Sequence, residues 1–184
     1  MAEQPTASEL IRSSLVIAAG SEYETRVFDL RALRDWRKGF GGGPVDMENR
    51  EIIWHHTASA GTRLSRIKHQ IARMEVECQG SPYGLPYNFV VWPGRQPRAY
   101  YLNDLDQTSP HTRGHNHHSA IAFWGNYEHE VPELAMVGLG TRLADAIATM
   151  WARYVPESLH RDYTATVCPG KNLVPYLDPR TMPF

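Results

Sequence analysis

Two adjacent histidines, His55 and His56, close an apolar run and are followed at once by small residues, in "EIIWHHTASAG". Far along the chain, "HRDYTATVCPG" carries His160 and, eight positions later, Cys168. Imidazole nitrogen and thiolate sulfur are ligands that zinc prefers, and three protein ligands leave the fourth tetrahedral position to water, as catalytic sites require. One histidine of the pair, with His160 and Cys168, would make such a site. Spacing alone also admits plainer roles, a packed strand-end histidine and a cysteine acting as a small buried hydrophobe. Four more histidines, His111, His115, His117 and His118, crowd "SPHTRGHNHHS". Such a tract can bind metal, but a polar loop beside a cleft accounts for it more simply.

These residues need elements to position them. "REIIWHH" reads as a buried strand, short, β-branched and aromatic, with turn-formers on both sides. From Thr62 to Cys78, Leu64, Ile67, Ile71, Met74 and Cys78 recur every three or four residues, the pattern of an amphipathic helix. "YNFVVW" and "RAYYL" flank "PGRQP" as a hairpin, and "SAIAFWG" is a fourth strand. A late helix is expected from Leu134 to Tyr154, with Leu139, Leu143, Ile147, Met150, Trp151 and Tyr154 as its stripe despite Gly138 and Gly140. The proline-rich tail reads as loop and short turns. Before Arg50, Phe28, Leu30, Leu33 and Trp36 fall near helical spacing ahead of the breaker "GFGGGPVD". Residues 1–49 thus read as an extension and junction, and residues 50–184 as one α/β (α+β) domain, a central mixed sheet flanked by helices. In such sheets, sites collect in loops at strand ends, where the histidines lie.

Composition narrows the function. A chain of 184 residues suits one domain, and 19 basic against 20 acidic side chains give no basic footprint for nucleic acid. "LVIAAG" is too short for a membrane span or secretory segment and follows no basic start, so synthesis in the cytosol without a signal peptide is expected. Two cysteines, Cys78 and Cys168, allow at most one disulfide.

In order along the chain, "IIWHHTAS", "LPYNFVVWPG", "GHNHHSAIAFWGNY" and "HRDYTATVCPG" resemble the amidase family that includes phage amidase-type lysozymes and the peptidoglycan recognition proteins. The resemblance spans roughly Ile52 to Leu173. It implies His55, His160 and Cys168 as zinc ligands. Strand alternation agrees, since adjacent side chains point to opposite faces, leaving His56 to pack behind the site. It further implies Tyr87 beside the zinc water, Thr166 as donor to the oxyanion, His111 near the substrate groove, and Asn116 in the loop that shapes it. Asn88 stands where the family commonly has histidine, next to the site and toward the substrate. Asp162 reads equally as a partner for a ligand histidine or as a turn acid.

The implied reaction is that of a zinc-dependent N-acetylmuramoyl-L-alanine amidase, hydrolysing the amide between N-acetylmuramic acid and L-alanine of the stem peptide. Zinc would polarise the carbonyl and lower the pKa of its water to about 7. Proton transfer is left open among Tyr87, the zinc hydroxide and His111. The implied partner is peptidoglycan, with neither nucleic acid nor membrane insertion. The setting is bacterial cell-wall degradation, as a phage endolysin, a virion-associated hydrolase, an effector or a recycling enzyme, with the segment before Arg50 open to docking on a larger assembly. A noncatalytic peptidoglycan-binding module of the same fold, and a structural-zinc or Cys78–Cys168 disulfide domain, are the alternatives. A zinc protease is disfavoured by the absence of a His-Glu-x-x-His helix.

Overall fold

The computed structural model describes residues 26–46, 48–60, 64–178 and 180. Six strands form one sheet: β1 (Val27–Asp29), β2 (Ile52–His56), β3 (Phe89–Trp92), β4 (Arg98–Tyr101), β5 (Ser119–Phe123) and β6 (Glu157–Leu159), in the order β1-β4-β3-β5-β2-β6. Only β3 and β4 pair antiparallel, as the hairpin "PGRQP" requires; every other neighbouring pair is parallel. The sheet is therefore mixed, in a single α/β domain. All residues of β2, β3 and β5 are buried, which explains why they read as unbroken apolar runs: both faces are covered.

Helix α1 (Ile67–Gly80) covers one face, through Met74 and Cys78, against Val90, Trp92, Tyr100 and Trp124. Helix α2 (Leu134–Met150) covers the other, packing Leu139, Leu143 and Ile147 over Ile52, Trp54, Phe89 and Phe123. A β-carbon at Gly140 would lie 2.5 Å from Phe123 Cζ, so this glycine lets α2 approach β5 closely. The helix stops at Met150, short of the expected Tyr154, which is 84% exposed. There the chain turns through Ala152 (φ +51°), and Arg153 donates to the Arg50 carbonyl at 2.9 Å. The tail contributes the single turn of α3 (Val174–Leu177).

The helical spacing before Arg50 does not become a helix. Val27–Asp29 instead pairs with Ala99–Tyr101, satisfying the open edge of β4, while Leu33 stays exposed. Trp36 is buried, and Leu85 N–H donates to its carbonyl at 2.7 Å. At Gly84 (φ +76°) a β-carbon would stand 1.8 Å from that same carbonyl, so only glycine permits the contact. The part of the segment from Arg26 onward is built into the sheet and its core; residues 1–25 lie outside the described residues.

Candidate metal centre

Strand β2 ends in the site. Ile52 and Trp54 join the core under α2, so alternation turns His55 to the opposite face, where its ring lies 5.3 Å from that of Tyr87. Parallel pairing of β2 with β6 sets Trp54 beside Leu159. The next residue on each strand is a histidine, and the His55 and His160 rings meet at 4.5 Å. His160 opens a 3-10 turn (His160–Asp162), and the loop beyond it returns so that Arg161 N–H donates to the Cys168 carbonyl at 3.1 Å. Cys168 Sγ then stands 3.6 Å from His55 Nδ1 and accepts from the His56 N–H at 3.3 Å.

One ligand atom from each of His55, His160 and Cys168 lies within 4.8 Å of the other two. His160 Nδ1 is buried without a hydrogen-bond partner among the described residues. A tetrahedral zinc with Zn–N about 2.05 Å and Zn–S about 2.3 Å separates nitrogen from sulfur by about 3.6 Å, matching the distance between His55 and Cys168. Two imidazoles and a thiolate suit that ion. The residues therefore fit a zinc ion in chemistry and in spacing.

Burial sets the charge states. It holds His55 well below the usual histidine value, reinforced by His111, His160 and His56, and it lowers His160 as well. Both rings are thereby kept neutral, the form that ligates. Burial also pushes the Cys168 thiol up to about 12.

His56 faces away from the cluster, as alternation predicts, and its Nδ1 accepts from the Tyr127 N–H at 3.1 Å. The Tyr87 hydroxyl lies 3.5 Å from the His56 carbonyl, and burial raises its phenol. Thr166 Oγ1 accepts from the Cys168 N–H at 3.2 Å, which leaves its own hydroxyl proton free to donate.

Three residues expected toward the substrate have partners within the protein. Asn88, fully buried, donates to the Asn103 and Asp104 carbonyls (3.1 and 2.8 Å) and accepts from Ala120 N–H at 2.8 Å. His111 is only 7% exposed, with Nδ1 3.2 Å from His55 Nε2 and Nε2 3.0 Å from the His118 carbonyl, so its nitrogens are engaged inside the protein. Asn116 closes the loop, its side-chain carbonyl accepting from Thr112 N–H at 2.9 Å.

Asp162 is a turn acid, accepting from Leu159 N–H at 2.8 Å. Of the remaining tract, His118 pairs with Glu51 at 3.0 Å and His115 lies 4.0 Å from the Tyr163 ring. Both cysteines are free and buried, which removes the disulfide alternative. Sequence reasoning missed Thr112, whose Oγ1 is 3.0 Å from His111 Nδ1 and 3.4 Å from His55 Nε2. Its only signal was its place directly after His111.

No family model matches the chain, and no curated protein matches it in sequence. Solved structures do share its fold. Drosophila peptidoglycan recognition protein SD superposes with a TM-score of 0.67 at 16% identity, covering 79% of this chain and 89% of its own. Peptidoglycan recognition protein LE, in complex with tracheal cytotoxin, gives 0.66 at 20% identity over 86% and 95%. The endolysin N-acetylmuramoyl-L-alanine amidase LysCS from Clostridium intestinale gives 0.56 at 18% identity over 79% and 88%. The fold is thus the one that peptidoglycan recognition proteins and N-acetylmuramoyl-L-alanine amidases share. Among the described residues, no helix is long and apolar enough to cross a membrane.

Proposed function

We propose that this chain is a zinc-dependent N-acetylmuramoyl-L-alanine amidase that acts on bacterial peptidoglycan in cell-wall degradation. The observation that carries the reading is the convergence of His55, His160 and Cys168 within ligand distance, with an orphaned buried Nδ1 on His160. Held by these residues, zinc would polarise the scissile carbonyl and activate water at neutral pH. The chain's own side chains supply the rest. Tyr87, kept protonated by burial, is a donor, suited to orient the attacking water or to hydrogen-bond the tetrahedral intermediate. Thr166, anchored by the Cys168 N–H, donates its proton to the developing oxyanion. His111, engaged at both ring nitrogens, is not available as the base.

A second reading, a binding module that holds peptidoglycan without cutting it, draws on the higher superposition scores with the recognition proteins than with the endolysin. The complete set of three ligands favours catalysis. Purified protein incubated with purified peptidoglycan should release new L-alanine amino termini, stop on chelation and resume with zinc. Bound zinc without release would overturn the amidase reading in favour of the binder.

A further inference from the structure

We infer that His111 and Thr112 act as positioning residues that fix the tautomer of His55, keeping its proton on Nε2 and turning the Nδ1 lone pair toward the metal position. The inference rests on the metal-centre reading above and goes beyond it by assigning the proton on a ligand ring.

The argument starts at the one partner with no choice. The His118 backbone carbonyl is an acceptor only, and it lies 3.0 Å from His111 Nε2, so that nitrogen carries a proton. In a neutral His111 ring, as burial requires, Nδ1 is then a lone pair. That lone pair faces His55 Nε2 at 3.2 Å, and two lone pairs at this distance repel, so His55 Nε2 is the donor. Thr112 supports the same assignment. Its Oγ1, 3.0 Å from His111 Nδ1 and 3.4 Å from His55 Nε2, offers the His55 Nε2 proton a second acceptor. Among the described residues, both polar atoms set against His55 Nε2 can thus accept its proton. The only nitrogen left without a proton is Nδ1, 3.6 Å from Cys168 Sγ.

Without this chain the neutral ring would divide between two tautomers, and the form protonated on Nδ1 cannot ligate there. The perpendicular arrangement of the His55 and His111 rings, with centroids 5.2 Å apart, also fixes the orientation of the His55 plane. Partners that orient a ligand histidine in this way typically change metal affinity by about 10- to 100-fold when removed.

The test reads the proton directly. Nitrogen-15 spectra of the ring resonances in the metal-free native protein should show His55 protonated on Nε2, and this needs no variant. His111→Ala should give a mixed His55 signal and weaken zinc binding, measured by chelator competition, by about 10- to 100-fold. His111→Asn, whose side-chain carbonyl replaces the Nδ1 acceptor, should restore both within a few-fold. A native His55 protonated on Nδ1, or a His111→Ala protein with unchanged tautomer and zinc affinity, would overturn the inference. If the native protein bound no zinc, the metal-centre reading would fall, while the ring spectrum would still decide the tautomer.

Discussion

Below about pH 7, where zinc-bound water keeps its proton, zinc binding should release about one proton per ion, and apparent affinity should rise about tenfold for each pH unit. The number follows from the three ligands. Burial lifts the Cys168 thiol to about 12, so it carries its proton throughout that range and must lose it to ligate. Burial holds His55 and His160 below the ordinary histidine value, so neither ring has a proton to give up. The sign is thus set by one group: as pH rises, fewer protons compete for the sulfur and binding tightens by about 1.4 kcal/mol per unit. Competition against a chromophoric zinc chelator at several pH values measures the slope, and calorimetry in two buffers of different ionisation enthalpy counts the protons. Cys168→Ser should lose both the slope and most of the affinity. A release of about two protons in that range, below the ionisation of zinc-bound water, would refute the reasoning by showing that an imidazole enters the site protonated. A flat profile would do so by removing the buried thiol from the ligand set.

Thr166→Ala should lower kcat on the order of a hundredfold with little change in KM, and Thr166→Ser should keep most activity, both read from amino-terminus release; a change confined to KM would make Thr166 a substrate contact instead. Gly138 and Gly140 sit two residues apart in α2 with opposite surroundings. Nothing lies within 4 Å of a β-carbon at Gly138, so Gly138→Ala should stabilise by about 0.5–1 kcal/mol through helix propensity. At Gly140 the β-carbon would strike Phe123 at 2.5 Å, and Gly140→Ala should destabilise by about 1–3 kcal/mol, both in thermal melts. In the metal-free protein, burial lowers His111 to about 3, so the unfolded chain binds the extra proton as pH falls below 6.5. Stability from this group is complete above 6.5 and should fall on the order of 2 kcal/mol by pH 5, a slope that His111→Asn should reduce in melts across that range.

The parts of the fold that the sequence announces are those in which one physical requirement dominates. Ile52–Trp54 and Phe89–Trp92 must be buried on both faces, so they read as apolar runs whatever surrounds them. That His55 rather than His56 turns toward His160 and Cys168 was likewise legible, because alternation on a strand admits only one of two neighbours to a given face. Before Arg50, by contrast, the local spacing of Phe28, Leu30, Leu33 and Trp36 says nothing of an unfilled strand edge seventy residues away, and the edge of β4 decides. Asn88 shows the same limit. Its motif position is adjacent to Tyr87, but its amide ties the loop after β4 to the start of β5, partners that the neighbouring sequence does not announce. His111 lies beside His55, but the direction of its ring and the identity of its hydrogen-bond partners are tertiary facts that the motif does not carry.

The three candidate ligands come from distant parts of the chain, and contacts of the protein's own backbone bring them together. Parallel pairing of Ile52–Trp54 with Glu157–Leu159 delivers His55 and His160 side by side. The bond from Arg161 N–H to the Cys168 carbonyl closes the loop that carries the sulfur, and the His56 N–H meets that sulfur from β2. Asp162 caps the same turn through Leu159 N–H. Each of these contacts is made by backbone, or by a carboxylate bonded to backbone, and none competes with Nδ1 of His55 or His160 for its lone pair. The affinity of such a centre for the ion depends on the ligands and on the protons they must lose. Holding the imidazoles neutral and the ligand ring in one tautomer is how such a scaffold favours the ion over the proton, and it places that control in His111 and Thr112, which lie beside the ligand set without belonging to it.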